Sequence, residues 1–259
     1  WAAATSDRRA VVPLFVLDPH LIDRAGPFRR RQLLASLQAL DYELFERVGG
    51  RLHVRVGDPV DLVPQVVSLY KAGGVYWNAD VTPFATRRDE RVAKALDVPT
   101  HTSWGTLVHS PGSIITAKGT LHRVFTPYFK AWSAAERDAW PQSGEAVVLD
   151  NPGDPLPRLD EPAKYPEGER EAWNRLESFL ERVDAYDTDR DRLDRDCTSS
   201  LSSDLSLGTI SPRAVVDLVG DDTPGRAAFV RQIAWRDWYA HLLLERPTLP
   251  NKAVRDKYD

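Results

Sequence analysis

Cysteine is nearly missing from this chain: Cys197 is the only one in 259 residues. That excludes an intrachain disulfide framework and any multi-cysteine metal site, and it fits a reducing, cytoplasmic compartment. Long apolar runs are missing as well. None approaches the roughly 20 residues that span a bilayer, so no membrane association is expected. A signal-peptide pattern is absent, because Trp1-Ala2-Ala3-Ala4 gives way to Asp7-Arg8-Arg9 before any apolar h-region. Those first residues read instead as the tail of a helix. A net charge of -4 supplies no global field toward nucleic acid or an anionic membrane, which leaves only local basic patches. His20, His53, His101, His109, His122 and His241 are scattered and form no close ligand pattern, so no metal site is expected. No GxGxxG lies between a strand and a helix, which excludes a dinucleotide fingerprint. No Ser-His-Asp or Cys-His arrangement stands out either.

What is present is patterning. Val11-Val12-Pro13-Leu14-Phe15-Val16-Leu17 is apolar on both faces, as a buried parallel strand should be, with Pro13 limiting its pairing. A helix is expected over 28–47, with Leu33, Leu34, Leu37, Leu40, Leu44 and Phe45 as its inward stripe. Leu52 to Val56 forms the next strand. Asp58 and Pro59 then open a helix that ends before Gly73-Gly74. The cycle repeats through a strand at 75–78, a helix from Pro83 to about Leu96 and a short strand at 100–104. Both glycine pairs are read as helix C-caps. Strands alternating with helices of this length predict a Rossmann-like, doubly wound parallel sheet. In such sheets ligands bind beyond the C-terminal strand ends, so the segments after Leu17 and Asn78 are the expected rim.

From 133 to 168 the composition changes. Pro141, Pro152, Pro155, Pro157, Pro162 and Pro166 mark a long irregular connection. A helix is expected over 169–186, with Trp173, Leu176, Phe179, Leu180 and Val183 as its stripe, followed by a run of alternating Asp and Arg at 184–196. Thr198-Ser199-Ser200-Leu201-Ser202-Ser203 reads as a loop or cap that could also hold a phosphate through hydroxyls and free N–H groups. Ser211-Pro212 starts another helix, and 229–244 forms the last clear one. There Gln232, Trp235 and Arg236 lie about one turn apart, so an amide, a ring and a guanidinium could share a site, while Arg236 could equally pair with Asp237. The expected organisation is an α/β domain over 1–132, a linker over 133–168 and a helical domain over 169–259.

Tyr186 and three motifs after it, in order, carry a resemblance. Thr198-Ser199-x-Leu201-Ser202, Leu205-x-Leu207-Gly208-x-Ile210-Ser211-Pro212-Arg213 and Arg231-Gln232-Ile233-Ala234-Trp235-Arg236-Asp237-Trp238-Tyr239 resemble the start of the all-helical FAD-binding domain of DNA photolyases and cryptochromes. Upstream, Val12 through Asp18 and Val124-Phe125-Thr126-Pro127-Tyr128 resemble that family's α/β antenna domain. The resemblance implies FAD as cofactor, a deazaflavin or methenyltetrahydrofolate as antenna chromophore, and a monomer acting on DNA that contains pyrimidine dimers. It further implies light-driven repair of cyclobutane dimers by an electron from reduced FAD. A cryptochrome-like blue-light sensor and a non-enzymatic remnant are the alternatives. By resemblance, Tyr186, Thr198, Ser199, Leu201 and Ser202 line the FAD phosphate region. Gln232, Trp235 and Arg236 touch flavin or damaged DNA. The family has Arg where Ser200 stands, Pro-Tyr or similar at Ser203-Asp204, and often Glu at Gln232. Its first strand would precede Trp1, and its remaining flavin contacts and electron-transfer tryptophans would follow Pro250. On this reading the chain alone neither holds FAD tightly nor repairs DNA.

Overall fold

A computed structural model of the chain describes residues 2–5, 10–138, 146–158 and 167–253. Trp1, and Pro141, Pro162 and Pro166 of the proposed linker, lie outside the described residues.

The first part alternates as its patterning predicts. A short helix α1 (Ala2–Thr5) precedes strands β1 (Ala10–Val11) and β2 (Leu14–Leu17), then helices α2 (Pro19–Ile22) and α3 (Pro27–Val48). Strand β3 (His53–Val56), helix α4 (Pro59–Tyr70), strand β4 (Val75–Asn78), helix α5 (Pro83–Lys94) and strand β5 (Thr100–Ser103) follow. Pro13 divides the predicted first strand in two, because it has no N–H to donate to a ladder. The α4 start is built as expected. Pro59 opens the helix and the Asp58 carboxylate accepts from the Val60 N–H at 2.8 Å. At the C-termini the glycine reading holds once. Gly49 caps α3 at φ 67°, but after α4 the left-handed position falls to Lys71 at φ 49°, two residues before Gly73.

Each strand pair is parallel: β2 with β3 from Leu14↔His53 to Leu17↔Val56, and β4 with β5 from Val75↔Thr100 to Asn78↔Ser103. Strand β1 pairs with β6 (Val147–Val148), so the proline-rich segment returns to the sheet. It also reaches β3 through a bridge from Val54 to Gly153, whose φ of 66° and close approach to the Val54 carbonyl leave no room for a Cβ. Among the described residues these remain three two-stranded pieces rather than one continuous sheet.

The second part is helical: α6 (Phe125–Ala134), α7 (Glu169–Leu180), a 3-10 turn (Val183–Ala185), α8 (Tyr186–Asp189), α9 (Ser202–Leu207), α10 (Pro212–Val219) and α11 (Pro224–Glu245). The helix expected over 169–186 therefore breaks after Leu180, and the break lets α11 approach. A Cβ on Gly225, in the first turn of α11, would collide with the backbone carbonyls of Val183 and Asp184.

Two hydrophobic clusters form. The larger joins Tyr128 and Trp132 of α6 to Leu176 and Phe179 of α7, Val215 and Val219 of α10, and Ile233 and Ala234 of α11. It also takes Val108 and Ile114 from the segment after β5, so residues on both sides of the proline-rich stretch share one core. The smaller holds Leu37, Leu52 and Val54. The α3 stripe is only partly inward. Leu34 and Leu37 are buried, whereas Leu40 and Phe45 are 45% and 49% exposed. Gln32 and Ser36 are buried in their place, because both hydrogen-bond the Glu167 carboxylate.

Candidate functional site

The hydroxyl-rich segment forms the approach to α9. Its backbone turns through Ser200 at φ 54°, a left-handed conformation uncommon for a residue with a Cβ. The Ser199 hydroxyl accepts from the Leu201 N–H at 3.4 Å. Leu201 is 1% exposed and anchors the turn in the larger core. The helix that follows has no side-chain cap, so the N–H groups of its first turn keep their capacity for an acceptor.

Positive charge reaches this turn from Arg182, in the break between α7 and the 3-10 turn. The Arg182 guanidinium donates to the Ser178 carbonyl at 2.7 Å and to the Thr198 carbonyl at 3.2 Å, while its buried Nε has no partner. Arg182 thus stands beside the loop where Ser200 supplies no charge, a residue that pattern reading passed over. The other charge near the turn is neutralised internally. Asp204, 0% exposed, receives two bonds from Arg175, at 2.7 and 3.0 Å, and one from the Thr209 hydroxyl at 3.0 Å. Tyr186 packs edge-on against Phe179 at 5.7 Å and Phe229 at 5.3 Å, which places it between α7 and α11. Burial raises its hydroxyl pKa above the ordinary range.

Helix α11 carries the second group. Trp235 stacks on Phe125 with ring centres 3.6 Å apart and meets Trp238 edge-on at 5.1 Å. The Trp238 indole N–H donates to the His122 carbonyl at 3.0 Å. Arg236 does not pair with Asp237 through a salt bridge. Its guanidinium donates to the Thr106 carbonyl and, at 2.6 Å, to the Leu205 carbonyl, which ties α11 to the segment after β5 and to α9. Gln232 is half-buried on the same helix. The structure therefore places Tyr186, Leu201, Gln232, Trp235 and Arg236 around one helical core. Thr198, Ser199 and Ser202 sit on the turn at its edge.

Arg236 also lines a 280 Å³ cavity with Ala79, Asp80, Trp104, Thr106 and Ser206. Ala79 and Asp80 directly follow β4, so this cavity lies beyond a C-terminal strand end, where the parallel-sheet rule placed the rim.

Asp237 is the residue that sequence reasoning missed. It is 0% exposed and accepts from the Val108 and His109 N–H groups at 3.1 and 3.0 Å and from the Trp132 indole at 2.9 Å. Burial pushes its pKa up to about 6, against the pull of those donors and of the Arg236 charge. One turn on, His241 accepts from the Gly112 N–H at 3.2 Å, and burial with the His109 and His122 charges pushes its pKa down to about 4. Both side chains hold the segment after β5 onto α11. No cluster of three metal-ligating side chains occurs among the described residues, and no helix among them is long and apolar enough to cross a membrane.

Residues 1–145 match the model of the family described as DNA photolyase. The chain is 35% identical to the deoxyribodipyrimidine photo-lyase of Streptomyces griseus, covering 99% of this chain and 60% of that one. It is 31% identical to the enzyme of the same name from Synechococcus, covering 98% and 59%. The solved bacterial class III photolyase from Agrobacterium tumefaciens superimposes with a TM-score of 0.84 at 26% identity, over 99% of this chain and 58% of that one. The chain thus spans somewhat over half the length of the relatives it matches.

Proposed function

Because this chain belongs to the DNA photolyase family, we propose that it takes part in light-driven repair of cyclobutane pyrimidine dimers in DNA, with FAD as cofactor. The observation that carries the reading is the turn at 198–202. It joins hydroxyls, an uncapped helix start and the Arg182 guanidinium at one edge of the helical core. That donor set fits the phosphates of a dinucleotide, since hydroxyl and N–H donors with one nearby cation satisfy anionic oxygens. Thr198, Ser199 and Ser202 would hold the phosphate region and Tyr186 would close it from α8. Bound and reduced, FAD would supply the light-driven electron that opens the dimer.

The chain's own residues do the positioning. Trp235, fixed by its stack on Phe125, would present a rigid aromatic plane suited to an unstacked pyrimidine dimer, whose faces are apolar. Gln232 supplies amide donors and an acceptor on the same helix and cannot ionise, so its part is hydrogen bonding rather than proton transfer. Arg236 sets the approach of α9 to α11 through its two carbonyl bonds. An antenna group such as a deazaflavin or folate would pack at the rim of the α/β part, beyond the C-terminal end of β2 and beside the start of α3.

The test is an absorption spectrum of the purified chain and of the protein encoded by its whole reading frame, followed by a light-dependent dimer-repair assay. Flavin bands and repair in the longer protein are the expected result. Flavin bands without repair would favour a light sensor. Their absence from both proteins would leave the flavin reading without support.

A further inference from the structure

We propose that Glu167 is a positioning residue, which holds α3 to the helix carrying the 198–202 turn through a carboxyl that works in its protonated form. The consequence for cofactor binding rests on reading that turn as a phosphate seat; the joint itself does not.

Glu167 stands two residues before α7, where the chain crosses the face of α3. The crossing is close: Gly168 follows at φ 109°, and a Cβ there would collide with that of Ala39. The Glu167 carboxyl accepts from the Gln32 amide and, at 3.4 Å, from the Ser36 hydroxyl. Both partners are buried on α3 among Leu34 and Leu37. An amide and a hydroxyl in such a stripe cost free energy unless each finds a partner, and Glu167 partners both. Beyond it stands the Arg175–Asp204 pair. Asp204 lies in the first turn of α9, and its carbonyl accepts from the Gly208 and Thr209 N–H groups. Gln32 and Ser36, Glu167, Arg175 and Asp204 thus form a series from α3 to the helix that the 198–202 turn begins.

Two carboxyl groups here face one guanidinium. Arg175 gives Asp204 two bonds, at 2.7 and 3.0 Å, and attracts Glu167 from farther off. Further charges face the joint: Glu171 of α7 acts on Arg175, and Arg47 of α3 meets Glu169 at 4.0 Å. Burial raises the Glu167 carboxyl above its ordinary 4.5; Arg175 pulls it down, Asp204 adds to the rise, and the Gln32 and Ser36 bonds oppose it. The Gln32 amide is a second sign of a neutral partner. Its Oε1 is buried without a donor. A carboxylate offers none, whereas a protonated Glu167 does once the amide is turned end for end. A group raised on folding supports the closed joint below 4.5 and withdraws that support as pH rises through its folded value. The ionised carboxylate then competes with Asp204 for Arg175, and α9 is released from α3.

Amide hydrogen exchange, corrected for intrinsic rates and followed from about pH 5 to about pH 8, tests this in the native chain, Glu167→Gln and Glu167→Ala. The Leu205, Gly208 and Thr209 amides, bonded to the Leu201 and Asp204 carbonyls, report on α9. In the native chain their protection should fall about tenfold for each unit by which Glu167 is raised. In Glu167→Gln, which keeps partners for Gln32 and Ser36 without a charge, it should stay at its low-pH level. In Glu167→Ala it should be low throughout. The Leu62 amide, bonded to Asp58 at the start of α4, should behave alike in all three and shows that each is folded. A Glu167→Gln profile that falls as the native one does would overturn the proposal, because the titrating group would lie elsewhere. So would a Glu167→Gln chain as open as Glu167→Ala. In the protein encoded by the whole reading frame, the native form should release flavin about tenfold faster than Glu167→Gln at the high-pH end. Equal release would overturn the link to the turn. If that protein binds no flavin, the phosphate reading fails, while the exchange profiles still decide the joint.

Discussion

Asp237 and His241, one turn apart on α11, titrate in opposite senses, and together they flatten the pH response of the fold. The Asp237 carboxyl is raised to about 6 in the folded chain from an ordinary value of 3.8. Its contribution is therefore fully present below 3.8 and is lost as pH rises through 6. His241 is lowered to about 4 from 6.5, so its contribution is fully present above 6.5 and is lost as pH falls through 4. His109, also lowered by burial, adds in the same direction as His241. Between pH 4 and 6 the aspartate and His241 slopes nearly cancel. In Asp237→Asn, stability measured by urea unfolding should rise with pH across that window by about 1.4 kcal/mol per unit. In His241→Gln the slope should turn less positive by a similar amount. Parallel curves for the native protein and both variants would contradict the assignment.

At the scale of elements, the joint between α7 and α9 rests on the Arg175–Asp204 pair. Asp204 is wholly enclosed and the Arg175 side chain is 19% exposed, so solvent does not reach the carboxylate. Arg175→Met should cost about 3–5 kcal/mol, because it leaves a buried carboxylate with no countercharge and only the Thr209 hydroxyl to hold it. Arg175→Met with Asp204→Leu should recover most of that loss, since two apolar side chains of similar size avoid the desolvation penalty. Thermal denaturation of the two variants checks both statements. A double variant no more stable than the single one would show that Asp204 matters through Thr209 and the α9 turn rather than through charge pairing.

At the scale of the molecule, the main core does not respect a boundary at residue 132. Val108, Ile114, Phe125, Tyr128 and Trp132 pack against α7, α10 and α11. Fully burying such a side chain contributes roughly 1.5–3 kcal/mol, so five together supply on the order of 10 kcal/mol, comparable to the whole stability of an ordinary domain. A fragment of residues 1–132 should therefore expose this surface, bind a hydrophobic dye and lose the near-ultraviolet signal of a packed Trp132. A compact, dye-silent monomer would contradict that expectation. It would also support the view of the α/β part as a self-sufficient remnant.

Sequence periodicity alone determined the alternation of strands and helices, the caps at Asp58 and Ser211 and the inward stripe of Leu176, Phe179 and Val183, because each depends on residues within a few turns of one another. The ordered motifs along the chain were enough for the family. Only the tertiary structure decided the role of Asp237, whose donors Val108, His109 and Trp132 lie more than a hundred residues away. The same holds for Arg236, which local reading pairs with its neighbour but which reaches the Thr106 and Leu205 carbonyls. It holds too for Leu40 and Phe45, which share helical spacing with buried leucines yet face solvent, since burial depends on what α3 meets. Local spacing sets which side chains share a face. Which of those faces finds a partner, and which polar group is sealed beneath it, depends on contacts between segments far apart in the chain.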